Sequence, residues 1–276
     1  MIARALERAA RELGAATPTP RLDAEVLLAH VLGVERGRLA ALDARALTAE
    51  ERSAYAALIG RRAAGEPVAY LTGTREFWTL TLSVGPEVLV PRPETELLVE
   101  LGLAHLKGRR APRVLDLGTG SGALGLALAA ERPDAAVDLV DASAAALAVA
   151  ERNRAALGLG NVRLERGEWF APLAGRRYDL IVSNPPYVAA RDPCLELLRH
   201  EPRLALVAGP TGLEALSAIV AGASAHLVPG GRLLLEHGAE QGESVRRLLR
   251  AAGFGAIESC ADLAGHERAT GGTRGD

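Results

Sequence analysis

Apolar residues recur at helical spacing over residues 1 to about 65, as in Ile2-Ala5-Leu6-Ala9-Leu13 and Leu22-Val26-Leu27-Val31-Leu32. Gly14 and Gly33 stand where these helices should stop. Thr48 followed by Glu51 is a capping-box pattern for a further helix through Arg62. The region carries no titratable cluster, and it reads as a small helical bundle for recognition, residues 1–74. The pattern then shifts to a period of two. Glu76-Phe77-Trp78 and Leu80-Thr81-Leu82-Ser83-Val84 are strand-like, with Gly85-Pro86 as a following turn. Residues 75–92 are expected to form a β-hairpin linker.

From residue 93 onward, apolar strand candidates alternate with helical stretches. The strands are Arg113–Leu117, Ala136–Val140, Val162–Glu165, Tyr178–Val182 and Arg232–Leu235, and helices are expected to begin near Gly122, Ser143, Gly212 and Gln241. This alternation implies an α/β domain over residues 93–276, with a parallel sheet covered by helices on both faces. Such sheets bind ligands beyond the carboxyl ends of their strands. A terminal strand near Glu267 to Thr270 is weakly patterned, and Gly271 to Asp276 reads as a disordered tail.

The first of these strands runs into Gly118-Thr119-Gly120-Ser121-Gly122. Glycines this dense let backbone approach a ligand closely and open a helix whose N-terminus faces it. Gly120 to Gly125 also matches the GxGxxG of dinucleotide enzymes, a weak signal alone. Asp141 ends the next strand, where a carboxylate can accept both hydroxyls of a ribose. Loop and acid together point to a nucleoside cofactor, by analogy at the level of the fold. The alternative is a tight turn with Asp141 capping a helix, for which Ser143 competes. Asp116, inside the first strand, is costly to bury without partners and is expected to order the glycine loop.

At the end of the fourth strand stands Ser183-Asn184-Pro185-Pro186-Tyr187. Each proline fixes its own φ and drives the preceding residue toward extended geometry. The Asn184 side-chain oxygen and the Pro185 carbonyl can then each accept one N–H of an NH2 group, while Tyr187 stacks on the planar group. An amide nitrogen is a poor nucleophile, and the rotation barrier of about 18–20 kcal/mol measures the resonance involved. Alignment can supply about 7–11 kcal/mol. The bland alternative is a rigid proline turn with a capping Asn. Asn184, Pro185, Pro186 and Tyr187 are thus the candidate catalytic and substrate-binding residues for methylation of a planar nitrogen. Their placement after the glycine loop favours S-adenosyl-L-methionine over a nicotinamide cofactor, because nothing in an oxidoreductase explains Asn-Pro-Pro-Tyr.

The chain resembles the release factor glutamine methyltransferases. The resemblance is carried by Glu66 to Gly73, Glu76-Phe77, Val88-Leu-Val-Pro-Arg-Pro-Glu-Thr-Glu96, Leu115 to Gly122, Asn184 to Tyr187, Glu201-Pro202 and Glu236-His237-Gly238. It implies a helical N-terminal domain, a hairpin and a seven-stranded Rossmann-like methyltransferase domain. It also implies methyl transfer to the glutamine of a Gly-Gly-Gln motif in peptide chain release factors. Cofactor binding carries over to Gly118, Thr119, Gly120, Ser121, Gly122, Asp141, Trp169 and Asn184. Trp169 could cover the adenine or be a core aromatic. Enzymes that methylate a glutamine of a ribosomal protein share Asn-Pro-Pro-Tyr but usually lack the full Arg-Pro-Glu-Thr-Glu. In that segment Pro93 suits a first helical turn, with Glu94 and Glu96 near its positive end, and whether Arg92, Glu94 and Glu96 contact ligand is left open. His237, ending a strand, reads as structural. The stretch Arg191 to Arg199 is more apolar than the family's loop.

Composition then narrows the field. The 276 residues are 49% hydrophobic and 24% charged, ordinary for a soluble globular chain, and the net charge is -2. That charge, and the lack of a basic, aromatic-interleaved target domain, argue against an adenine DNA or RNA methyltransferase, which must hold a strand and extrude a base. Cys194 and Cys260 lie far apart without metal-ligand spacing, so neither disulfide nor metal is expected. The segment Met1 to Gly14 carries both charge signs, unlike a signal peptide. A cytoplasmic monomer acting on a protein, with no stable nucleic-acid or membrane partner, is the expectation.

Overall fold

A computed structural model describes residues 1–275 and divides into two compact units, Met1–Thr74 and a second that begins at Arg75. In the first, α1 (Ile2–Leu13), α2 (Pro20–Leu32), α3 (Ala49–Ala63) and α4 (Val68–Thr72) surround a core that includes Ile2, Leu6, Leu13, Leu27, Leu28 and Ile59. Thr48 and Glu51 make both bonds of the capping box, at 3.2 and 2.9 Å. Gly33 ends α2 in the left-handed conformation, at φ 62°.

The buried stripe of α2 is displaced from the predicted one. Leu22 is 43% exposed, whereas Asp23 and Ala24 face inward. Asp23 accepts from Arg62 of α3 at 2.8 Å and from Thr19 at 3.0 Å. A buried carboxylate needs such partners, and reaching them sets the rotation of the helix.

The second unit begins within β1 (Thr74–Phe77), which forms a hairpin with β2 (Leu80–Ser83). Trp78, read from sequence as strand, is the turn, at φ 55°. A 3-10 turn over Pro93–Thr95 leads into α5 (Glu96–Leu106). There follow β3 (Arg113–Leu117), α6 (Ala123–Glu131), β4 (Ala136–Asp141), α7 (Ala144–Ala156), β5 (Val162–Arg166) and β6 (Tyr178–Ser183). A two-stranded pair, β7 (Val188–Ala189) and β8 (Val207–Gly209), brackets α8 (Arg203–Leu206). The chain closes with α9 (Glu214–Ala223), β9 (Leu227–Glu236), α10 (Gly242–Ala251), β10 (Phe254–Ala261) and β11 (Glu267–Arg274).

Seven strands form one sheet in the order β10-β11-β9-β6-β3-β4-β5, parallel from β9 to β5 and antiparallel at β11 and β10. Alternate residues enter two cores, Leu180, Val182 and Leu234 on one face, Ile181, Leu233 and Leu235 on the other. Register places the functional edge. Leu117 is opposite both Val140 and Ser183, and Ser183 is opposite Leu235. The next residue in each strand, Gly118, Asp141, Asn184 and Glu236, therefore stands at one carboxyl edge, where strand order reverses about β3.

Sequence reading left β10 out and placed disorder where β11 continues. The predicted tail from Gly271 is sheet through Arg274, and Asp276 lies outside the described residues. Two of the glycines that suggested disorder, Gly271 and Gly272, are closely packed instead. A Cβ on Gly271 would lie 2.5 Å from Leu234 Cδ2, and one on Gly272 3.0 Å from Phe254 Cβ. Among the described residues no helix is long and apolar enough to cross a membrane.

Candidate active site

The glycine loop is held from three sides. Beneath it Asp116, 1% exposed, accepts from Thr119 Oγ1 at 2.5 Å and from the Gly125 N–H at 3.0 Å. Burial pushes its carboxyl up to about 6, opposed by those two bonds. Beside it the Val140 carbonyl accepts the N–H groups of Gly118 and Thr119, at 2.8 and 3.1 Å. On the third side Asn153 donates to the Ser121 carbonyl at 2.9 Å and exchanges bonds with the Ser83 backbone. Gly118, Gly120 and Gly122 adopt φ of 68°, 56° and 86°, a region that side chains rarely adopt. A Cβ on Gly120 would meet nothing within 4 Å.

Asp141 accepts from the Gly120 N–H at 2.9 Å and the Ser143 N–H at 2.8 Å. Ser143, not Asp141, caps α7 by accepting from Ala146 N. The competing reading of Asp141 as a helix cap is thereby removed, and burial raises its pKa. Trp169 adopts φ 46°, a sparsely populated conformation costing about 1–3 kcal/mol. Its ring lies 3.6 Å from where a Gly118 Cβ would be, and it also rests on the second core.

These groups border a cavity of about 790 Å³, within the range of small-ligand sites. Its walls include Gly118, Thr119, Asp141, Trp169, Asn184 and Thr95. Gly120, Ser121 and Pro186 line it too, whereas Gly122, Pro185 and Tyr187 do not appear in its wall. Gly122 is the N-cap of α6. Pro185 is buried beside the wall, and Tyr187 packs on the second core with its hydroxyl 3.4 Å from Glu236 Oε1. Gln241 steadies this loop by donating to the Tyr187 carbonyl at 3.0 Å.

Thr95 and Glu236, for which the sequence alone indicates no individual role, belong to the site. Asn184 Nδ2 donates to Thr95 Oγ1 at 3.1 Å, and Thr95 Oγ1 donates to Glu236 Oε2 at 2.6 Å. Burial raises the Glu236 carboxyl to about 7. The remainder of the Arg-Pro-Glu-Thr-Glu segment is structural in its contacts. Arg92 pairs with Glu201, which also accepts the Val90 N–H at 3.0 Å. Glu96 accepts the Trp78 N–H at 2.8 Å, and Glu94 is exposed. His237 is fully buried between Thr270 Oγ1, 2.7 Å away, and the Gly238 carbonyl.

Gly125 offers a direct test of this packing. Alanine for glycine inside a helix ordinarily stabilises by about 1 kcal/mol. Here the new Cβ would lie 2.0 Å from Leu139 Cδ2 and 3.1 Å from Asp116 Oδ2. Leu139 is fully buried and has nowhere to move, so overpacking of about 1–3 kcal/mol decides the sign. Gly125→Ala is expected to be less stable than wild type, by up to about 2 kcal/mol net, in urea unfolding. A gain in stability would show that the floor of the loop is loosely packed.

Residues 4–73 match the family described as PrmC N-terminal domain, and residues 94–200 the methyltransferase small domain. Over 254 residues the chain is 50% identical to a release factor glutamine methyltransferase of Salmonella typhimurium, covering 91% of each chain. It is 52% identical over 271 residues to one from Burkholderia pseudomallei, covering 95% of each. Among solved structures it is similar to a T. thermophilus 16S rRNA methyltransferase in complex with AdoMet and guanosine. That likeness has a TM-score of 0.56 and 25% identity, over 73% of this chain and 49% of the other.

Proposed function

The chain belongs to the release factor glutamine methyltransferase family, and from that membership we propose that it methylates the glutamine side-chain nitrogen in the Gly-Gly-Gln motif of peptide chain release factors. S-Adenosylmethionine, when bound, supplies a methyl group activated by its sulfonium. The observation that carries the reading is the alignment of Gly118, Asp141 and Asn184 at one sheet edge, with Gly118, Asp141 and Asn184 all facing one cavity. In this reading Gly118 to Gly122 offer backbone to the cofactor, Asp141 accepts its ribose hydroxyls, and Trp169 covers its adenine.

Asn184 Nδ2 is already committed to Thr95, so its Oδ1 is the atom left to meet a substrate N–H. The Pro185 carbonyl is assigned the second N–H. Two acceptors hold the amide nitrogen in place and draw proton density from it as the new bond forms. Once methylated, that nitrogen is acidic and releases a proton, so the site needs no strong base. The Tyr187 hydroxyl donates to Glu236, which assigns it to holding that carboxylate behind the cavity wall as well as to stacking. The helical region 1–74 is assigned to recognition of the release factor, the hairpin 75–92 to linkage, and residues 93–276 to catalysis. A monomer in the cytoplasm, without a stable nucleic-acid partner, fits this reading.

Incubation with S-adenosylmethionine labelled in its methyl group tests the assignment. Label is expected on a wild-type release factor and absent from one whose motif glutamine is alanine. Label on DNA or on a ribosomal protein, with none on the release factor, would overturn it.

A further inference from the structure

Asn184, Thr95, Glu236 and Tyr187 form one connected set of contacts at the sheet edge. An asparagine side chain has nearly the same shape either way round, so shape alone does not decide whether oxygen or NH2 faces the cavity. The decision lies with Thr95. Its hydroxyl has one proton to give and lone pairs to accept with. An ionised Glu236 can only accept, and it stands 2.6 Å away. The Thr95 proton goes there, leaving lone pairs alone to face Asn184. The asparagine must then turn its NH2 toward Thr95 and its oxygen toward the cavity. Thr95 is 4% exposed and Glu236 2%, so solvent offers no substitute partner.

We propose that Thr95 and Glu236 are positioning residues that fix which way round the Asn184 amide sits, and so present an acceptor to the substrate nitrogen. Reversed, the amide would set its NH2 against the substrate's NH2. The inference rests on the reading of Asn184 as the acceptor of a substrate N–H. It also gives Thr95, within Arg92-Pro-Glu-Thr-Glu96, a chemical task distinct from the ion pair of Arg92 with Glu201.

Glu236→Gln keeps the shape but adds a donor, which can give a proton to Thr95 and release the Thr95 proton to Asn184 Oδ1. Thr95→Val removes the hydroxyl. At a pH above about 8, where Glu236 with its pKa of about 7 is ionised, each variant is expected to lose about 10–100-fold in kcat on release factor, with KM and cofactor Kd within about threefold. Thr95→Ser returns the hydroxyl and is expected to recover most of the transfer. The double variant should be no worse than the poorer single one, because both act through one chain of bonds. Glu236→Gln carries the test alone should Thr95→Val fail to fold.

Wild-type kcat in Glu236→Gln, additive losses, or a loss confined to cofactor affinity would overturn the proposal. Failure of the wild type to label release factor would instead overturn the functional reading. The side-chain NH2 signals of Asn184 in a 15N-labelled sample, identified by their absence in Asn184→Asp, then decide independently. They are expected to shift in Glu236→Gln and Thr95→Val and to stay near wild type in Thr95→Ser. Signals unmoved in both of the first two would overturn it.

Discussion

Replacing Asn184 by alanine is expected to lower methyl transfer by about 10²–10³-fold while leaving cofactor affinity within about tenfold of wild type. The asymmetry follows from where the charge develops. In the ground state the substrate amide is neutral, and a neutral hydrogen bond contributes about 0.5–1.5 kcal/mol net. As the nitrogen gains a methyl group its remaining protons become acidic, and a fixed acceptor then stabilises growing positive charge. Losing one preorganised polar group aimed at such charge costs about 2.7–4 kcal/mol. The cofactor keeps Gly118 to Ser121, Asp141 and Trp169 around the same cavity, so its binding should change little. Single-turnover transfer to release factor and calorimetric titration with S-adenosylmethionine separate the two effects. An unchanged transfer rate at saturating cofactor would remove Asn184 from the chemistry.

The fold was legible wherever a buried face repeats with a simple period. Ile2, Leu6, Ala9 and Leu13 are all buried on α1 as their spacing predicts, and the inner strands β3, β4 and β6 read as apolar runs because helices cover both faces. Legibility failed where a long-range polar contact overrode the apolar pattern. The rotation of α2 depends on Asp23 meeting Arg62, 39 residues away, which no window of α2 contains. It failed again at the antiparallel edge, where the glycines of β11 look like a flexible tail and are in fact sites with no room for a side chain. The site shows the same division. The glycine loop, Asp141 and Asn184 were readable because each sits at the end of its own strand. The task of Thr95 was not, since its partner Glu236 lies 141 residues on. Asn153, which ties Ser121 to the hairpin, was hidden for the same reason.

Glu236→Gln should also make the protein more stable, increasingly so as pH rises from about 5 to 8, reaching roughly 3 kcal/mol. Burial, the largest cause, raises the Glu236 carboxyl from 4.5 to about 7, with Arg268 favouring the ionised form and Glu94 opposing it. Between those two values the folded protein holds a proton that the unfolded chain has released. Stability contributed by this group is therefore present below about 4.5 and lost as pH rises through about 7. Glutamine has no charge to bury and escapes the loss. Other buried groups bend the curve of each protein. Asp116, raised to about 6, acts in the same direction, and His105 and His237, lowered by burial, act in the opposite one. They are common to both proteins, so the difference between the two unfolding free energies isolates Glu236, and urea titrations across this range measure it. A difference that stays level with pH would mean that Glu236 ionises in the fold as it does in the unfolded chain. The expected pattern, a variant steadier at high pH yet slower in transfer, has one cause. A carboxylate that burial, above all, pushes toward neutrality is kept at the sheet edge because only a group that accepts without donating can turn Thr95, and through it Asn184, the required way round.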